Sequence, residues 1–204
     1  MKTQLVLALA AFGFVAGAQA QESPKVDPAR LEAITKAMWP KIPEGWEKRI
    51  RFDETQKACS EHKNELPGNL FDDVRARELA SVKFPADGKV LGDWKSGMRI
   101  ANDGRGGTFT DQPMTNGANC YACHQMDTAQ LSYGTLGPSL HLYGKNRDFK
   151  PEEAKQAFAK IYNAMSVMPC SMMPRFGYHS FLTEQQIKDV TALLFDPESP
   201  VNKP

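Results

Sequence analysis

The chain has 204 residues, with 25 Lys and Arg against 24 Asp and Glu. That near-neutral balance excludes the broad basic face on which a nucleic-acid-binding domain relies, although local patches still decide docking to other proteins. The length fits one compact domain plus an extension, and beyond the N-terminus no apolar run approaches the roughly 18 residues that a membrane span needs.

The first twenty residues have the three parts of an export signal. Lys2 supplies a positive start, Leu5 to Ala16 a short apolar run, and Ala18-Gln19-Ala20 an A-x-A cleavage site. Cleavage there leaves 184 residues with 24 basic and 24 acidic side chains. The predicted address is a bacterial periplasm, an oxidising space. Residues 21–89 read as an N-terminal helical extension behind an irregular start. Asp27 with Pro28 opens a helix, on which Leu31, Ile34 and Met38 share a face, and Pro40 and Pro43 end it. Further helical segments fall at 56–64, which contains Cys59, and after Pro67, where Leu70, Phe71 and Val74 are spaced for one face. Pro85-Ala86-Asp87-Gly88 is a turn. The extension carries no catalytic motif and is either a flank packed on the main domain or a docking surface for a partner.

Residues 90–204 form the main domain. Leu91, Trp94 and Met98 make the apolar stripe of its first helix. The loop at 102–107 is rich in glycine but lacks GxGxxG and a preceding strand, so it is not a nucleotide site. A middle helix starts at Pro151, with Ala154, Ala157, Phe158 and Ile161 at i, i+3, i+4 and i+7. The last helix opens at Thr183-Glu184-Gln185-Gln186, a capping box, presents Ile187, Val190 and Leu194, and stops at Asp196-Pro197. With no long alternating pattern, the fold class is all-α, with about three helices in the main domain behind a helical N-terminal extension.

The cofactor follows from Cys120-Tyr121-Ala122-Cys123-His124. Two thiols separated by two residues and followed at once by histidine form the attachment signature of haem c. The thiols bond the two vinyl groups along one porphyrin edge, and the adjacent imidazole lies under the iron as proximal ligand. A zinc site would require two more Cys or His at short spacing, and Cys59 and Cys170 are isolated. In an oxidising compartment those two leftover thiols are expected to form a disulfide; a reactive thiol, or a thiolate ligand at Cys170, is the alternative.

One CxxCH leaves the second axial position of a single haem to be filled. The candidates are His141, His179, Cys170, Met165, Met168, Met172 and Met173. Met165 continues the face of the middle helix and reads as core. Met168-Pro169 and Met173-Pro174 each have a proline that stiffens an irregular loop. Met173 lies between the middle and last helices, where the distal loop of a small cytochrome falls, and is the preferred ligand. His141, His62 and His179 read as ordinary surface or packing histidines. In many small cytochromes a carbonyl at such a proline accepts the Nδ1–H of the proximal histidine, which fixes the ring and raises its basicity; Gly137-Pro138 is expected to do this for His124, the alternative being a simple turn. With both axial positions filled, the iron is predicted to transfer electrons and not to activate a substrate.

Several segments together are more specific than CxxCH alone. They are Gly92-Asp93-Trp94, Gly104-Arg105-Gly106, Asn119 to Gln125, Ser132-Tyr133-Gly134, Gly137-Pro138-Ser139-Leu140, Tyr143-Gly144, Met173-Pro174-Arg175-Phe176-Gly177, and Leu194 to Asn202 with its Asp-Pro-Glu-Ser-Pro-Val-Asn tail. Over roughly 90–204 the chain resembles the SoxX family, the small cytochrome subunits of SoxAX thiosulfate-oxidising complexes. The resemblance implies a class I-like cytochrome c domain, with His124 and Met173 as axial ligands and Cys120 and Cys123 as thioether anchors. It also implies a heterodimer with a SoxA-like cytochrome that holds the catalytic haem, acting as an L-cysteine S-thiosulfotransferase. The complex would couple thiosulfate to a cysteine of a SoxYZ-like carrier, and this subunit would pass the released electrons to a soluble acceptor cytochrome. No catalytic residue is assigned to this chain.

Overall fold

Residues 27–108 and 115–204 are described by a computed structural model. The predicted leader at 1–20, and the irregular start up to 26, lie outside the described residues. Seven α-helices follow one another: α1 (Pro28–Met38), α2 (Glu47–Ile50), α3 (Glu54–Glu61), α4 (Gly68–Ala80), α5 (Trp94–Asn102), α6 (Pro151–Tyr162) and α7 (Glu184–Phe195). Single 3₁₀ turns occur at Cys120–Ala122, Lys145–Arg147, Ala164–Ser166 and Pro200–Asn202. No strand occurs among the described residues, and the fold is all-α.

Side-chain caps set most of the helix starts. Asp27 accepts from Ala29 N with Pro28 at the first helical position, and Thr183 forms the expected capping box with Gln186. Asp53 and Gln56 make a second box at the start of α3, and Asp93 accepts from Lys95 N and Ser96 N at the start of α5. Each such cap is worth about 1 kcal/mol, because it satisfies an otherwise orphaned N–H.

The core lies where α5, α6 and α7 meet. Ile100 and Ala101 of α5 join Ala154, Ala157, Phe158 and Ile161 of α6 and Ile187, Val190, Leu193 and Leu194 of α7 in one cluster. Phe158, Ile187 and Leu193 are fully buried, and each contributes about 1.5–3 kcal/mol by leaving water. The α5–α7 crossing depends on Gly97. A methyl built there would overlap the backbone carbonyl of Asp189, so the two helix axes can approach only over a glycine. The 3₁₀ turn at the C-terminus closes the base of the core. Asn202 accepts from Gly144 N and Lys145 N and donates to the carbonyls of Leu194 and Asp196.

One expectation requires correction. Leu91 is not on the buried stripe of α5: it precedes the helix and is 46% exposed, while Gly97, Ile100 and Ala101 form the buried face. On the expected shared face of α1, Leu31 is partly buried, whereas Ile34 and Met38 are 47% and 70% exposed. The rest of the extension is packed on the domain. Val82, Phe84 and Val90 enter the same core cluster, and Arg49 donates to the carbonyls of His179 and Ser180.

Candidate haem site

The motif is a single tight turn. Asn119 enters it in the left-handed region, at φ 47°. Cys123 N and His124 N both donate to the Cys120 carbonyl, at 3.1 and 2.9 Å. Winding the chain through one helical turn brings residues three and four apart to the same side, so Cys120, Cys123 and His124 are presented together. Tyr121 points the other way. It is 5% exposed, and its hydroxyl donates to Asp127, which also accepts from Ala129 N and Gln130 N. Burial first, and then this carboxylate, hold the Tyr121 phenol above its usual range. Neither motif cysteine takes part in a disulfide, and Cys120 packs against the core.

A second strap holds the histidine. Gly134 N donates to the Tyr121 carbonyl, Gly137 N to that of Cys123 and Leu140 N to that of Gln125, at 2.8, 2.8 and 2.7 Å. Ser139 Oγ donates to Gln125 Oε1. The strap sets the Pro138 carbonyl 2.7 Å from His124 Nδ1. With Nδ1–H committed there, Nε2 retains the lone pair that a metal needs. Gly137 lies flat against the imidazole, where a methyl would overlap the ring.

These residues fit covalent haem. The donor set is two unpaired thiols and an imidazole with one nitrogen committed and the other free. On the same strap Leu131, Leu136 and Tyr133 are 95%, 71% and 39% exposed. So much apolar surface beside one motif is what a hydrophobic ring would cover. When bound, haem supplies a one-electron iron couple, and this chain's residues fix its edge and its axial coordination.

The candidates for the second axial position separate by burial and bonding. Met165 is buried in the core, Met168 and Met172 are 52% and 79% exposed, and Cys170 is joined to Cys59 in a disulfide. His141 Nε2 lies 2.9 Å from the Lys203 carbonyl. Met173 alone among the four methionines is half-buried, packing against the cluster that also receives Cys120. His179 is not the surface residue expected. It is half-buried, its Nδ1 has no hydrogen-bond partner, and burial, then the Arg175 charge, hold its imidazole down to about 4.

The distal segment also contains residues that the motif does not identify. Arg175 is 4% exposed, and its guanidinium lies 2.6 Å from Asp53 and 3.5 Å from Glu78, with the Tyr178 ring 4.3 Å away. Its N–H groups are not aligned on either carboxylate as hydrogen bonds, so charge and ring stacking hold it. Glu78, itself 5% exposed, also accepts from Thr55 Oγ1 and from Asn163 Nδ2. The meeting of Asp53, Glu78 and Arg175 could not be read from the sequence, because nothing local marks it.

Comparison with known proteins agrees with this geometry. Residues 109–195 match the family model described as cytochrome c. The chain is also 37% identical over 188 residues, 91% of its length, to an "uncharacterized lipoprotein" of Aquifex aeolicus (strain VF5), covering 89% of that relative. No helix among the described residues is long and apolar enough to cross a membrane. With the CxxCH turn, the strapped proximal histidine and the all-α core in place, the chain belongs to the cytochrome c family, whose members carry covalent haem c.

Proposed function

We propose that this protein is the electron-accepting monohaem subunit of a periplasmic complex that oxidatively couples thiosulfate to a carrier-protein cysteine. The observation that carries the reading is that the Pro138 carbonyl holds His124 Nδ1, which leaves Nε2 for iron. Met173, half-buried against the cluster that also receives Cys120, is the second ligand in this reading. His/Met ligation leaves no open position on the iron and raises its potential, which suits an electron acceptor. Cys120 and Cys123 serve as thioether anchors for one haem. The resemblance to SoxX supplies the sulfur chemistry. Its distinctive tail is structural here, since Asn202 ties 144–145 to the end of α7.

In the coupling step, thiosulfate and a carrier thiol form a sulfur–sulfur bond and release one proton and two electrons. A SoxA-like partner forms the heterodimer and hosts that step. A SoxYZ-like carrier provides the thiol, and this chain takes the electrons one at a time and hands them to a soluble acceptor cytochrome. Export is supported by the leader at 1–20 and by the lipoprotein name of the Aquifex relative.

Affinity purification of the native full-length protein, followed by mass spectrometry and rapid-mixing spectroscopy, tests this. A second haem protein is expected to co-purify, and thiosulfate with a carrier thiol reduces this haem only in that protein's presence. A monomer with no stable partner that shuttles electrons independently of thiosulfate contradicts the reading and leaves a stand-alone periplasmic electron carrier.

A further inference from the structure

We propose that the N-terminal extension holds the axial methionine loop in place, with Asp53, Cys59 and Glu78 acting as positioning residues for Met173. The inference rests on the reading of Met173 as iron ligand. Its basis is that the segment 163–175 is tied to α3 and α4 at three points. At its start, Asn163 Nδ2 donates to Glu78 Oε2 at 2.7 Å and to Ser81 Oγ at 2.9 Å. In its middle, Cys170 is bonded to Cys59 of α3. At its end, Arg175 sits between Asp53, the N-cap of α3, and Glu78 of α4. Met173 lies between the second and third ties, three residues after Cys170 and two before Arg175.

The segment needs such ties because it has little regular structure of its own. After the 3₁₀ turn at Ala164–Ser166 its internal backbone and side-chain bonds are few: Val167 N and Met168 N to the Ala164 carbonyl, Ser171 N to the Met168 carbonyl, and Met173 N to Ser171 Oγ. Cys170 adopts a φ of 61°, a conformation that L-residues rarely hold without external restraint. Glu78 is the common node. It serves Thr55 of α3, Asn163 at one end of the segment and Arg175 at the other, and it does so while buried. Removing one partner of a buried charge cluster leaves another charge buried without compensation, so the cluster resists coming apart. Segments with few internal bonds open locally with small free energies unless they are pinned. The extension therefore lowers the fraction of molecules in which the thioether has left the iron.

External-ligand binding reads that fraction directly, since an outside ligand binds only the open form and its apparent affinity scales with the open population. Ferric full-length holoprotein is titrated with cyanide, and its near-infrared thioether band is recorded, for wild type, Cys59→Ser/Cys170→Ser, Glu78→Gln, Asn202→Ala and Met173→Ala. Glutamine at 78 loses the charge facing Arg175 and cannot accept from both Thr55 and Asn163 through equivalent oxygens. Glu78→Gln and the double serine variant are expected to bind cyanide about tenfold or more tightly than wild type. Asn202→Ala, which destabilises the fold through the C-terminal turn, is expected to leave cyanide affinity unchanged. If the double serine variant does not fold, Glu78→Gln carries the same prediction alone. Cyanide affinity within twofold of wild type in Glu78→Gln, or a rise in Asn202→Ala as large as in Glu78→Gln, overturns the positioning role. Retention of the thioether band in Met173→Ala instead overturns the ligand assignment beneath it.

Discussion

The Pro138 carbonyl accepts one hydrogen bond from His124 Nδ1, and Gly137 makes room for it; with His124 on iron, that bond would tune the metal. Gly137→Ala would push the His124 ring off that carbonyl. A net hydrogen bond is worth about 1 kcal/mol, on the order of 40 mV for a one-electron couple. Losing it makes the imidazole a weaker donor, which disfavours ferric iron, so the potential is expected to rise by that order in a redox titration. An unchanged potential would show that the contact does not tune the iron. His179 yields a second prediction at this scale. Its imidazole titrates at about 4 in the native state and near 6.5 when unfolded. The unfolded chain therefore binds this proton first as pH falls. Stability is complete above about 6.5 and declines as pH drops towards about 4. Denaturant titrations should show that decline in wild type and a flatter profile in His179→Phe; identical profiles refute it. The sequence marked Cys120, Cys123 and His124 because they form one local motif, and Pro138 because a Gly-Pro pair follows that motif by about fifteen residues. It misjudged His179, whose half-burial comes from tertiary packing that no local pattern marks.

At the scale of elements, α6 and α7 were legible because their apolar residues recur at helical spacing and their starts carry proline or a capping box. α5 was placed correctly but its buried face was not. Large apolar residues drew attention to Leu91, whereas the contact is made by small ones, Gly97 and Ala101. Close helix approach selects for small residues, which carry no hydrophobic signal. Gly97→Ala must separate α5 from α7, because the obstructing atom is the Asp189 backbone carbonyl. A loss of about 1–3 kcal/mol in chemical denaturation is expected, the usual cost of overpacking. A change below a few tenths would mean the helices shift without cost. α1 shows the opposite limit: its periodicity marked a shared apolar face, yet Ile34 and Met38 on that face are exposed.

For the whole molecule, the extension and the cytochrome domain are joined covalently and electrostatically. The Cys59–Cys170 disulfide bridges a separation of 111 residues, and closing so long a loop stabilises by about 4–5 kcal/mol in the loop-entropy model. Unfolding of the double serine variant should lose stability of that order, and a loss under about 1 kcal/mol would show that the bridge adds little. Cysteine arithmetic and the predicted compartment made this pair legible. The Asp53–Glu78–Arg175 cluster was not, because its members are polar residues brought together by tertiary packing alone. The account as a whole requires that iron be closed by His124 on one side and Met173 on the other. Its most direct test is the near-infrared spectrum of the ferric holoprotein beside that of Met173→Ala. The thioether-to-iron band is predicted in wild type and absent in the variant, whose potential falls. A band that survives in Met173→Ala, or is missing from wild type, would contradict it.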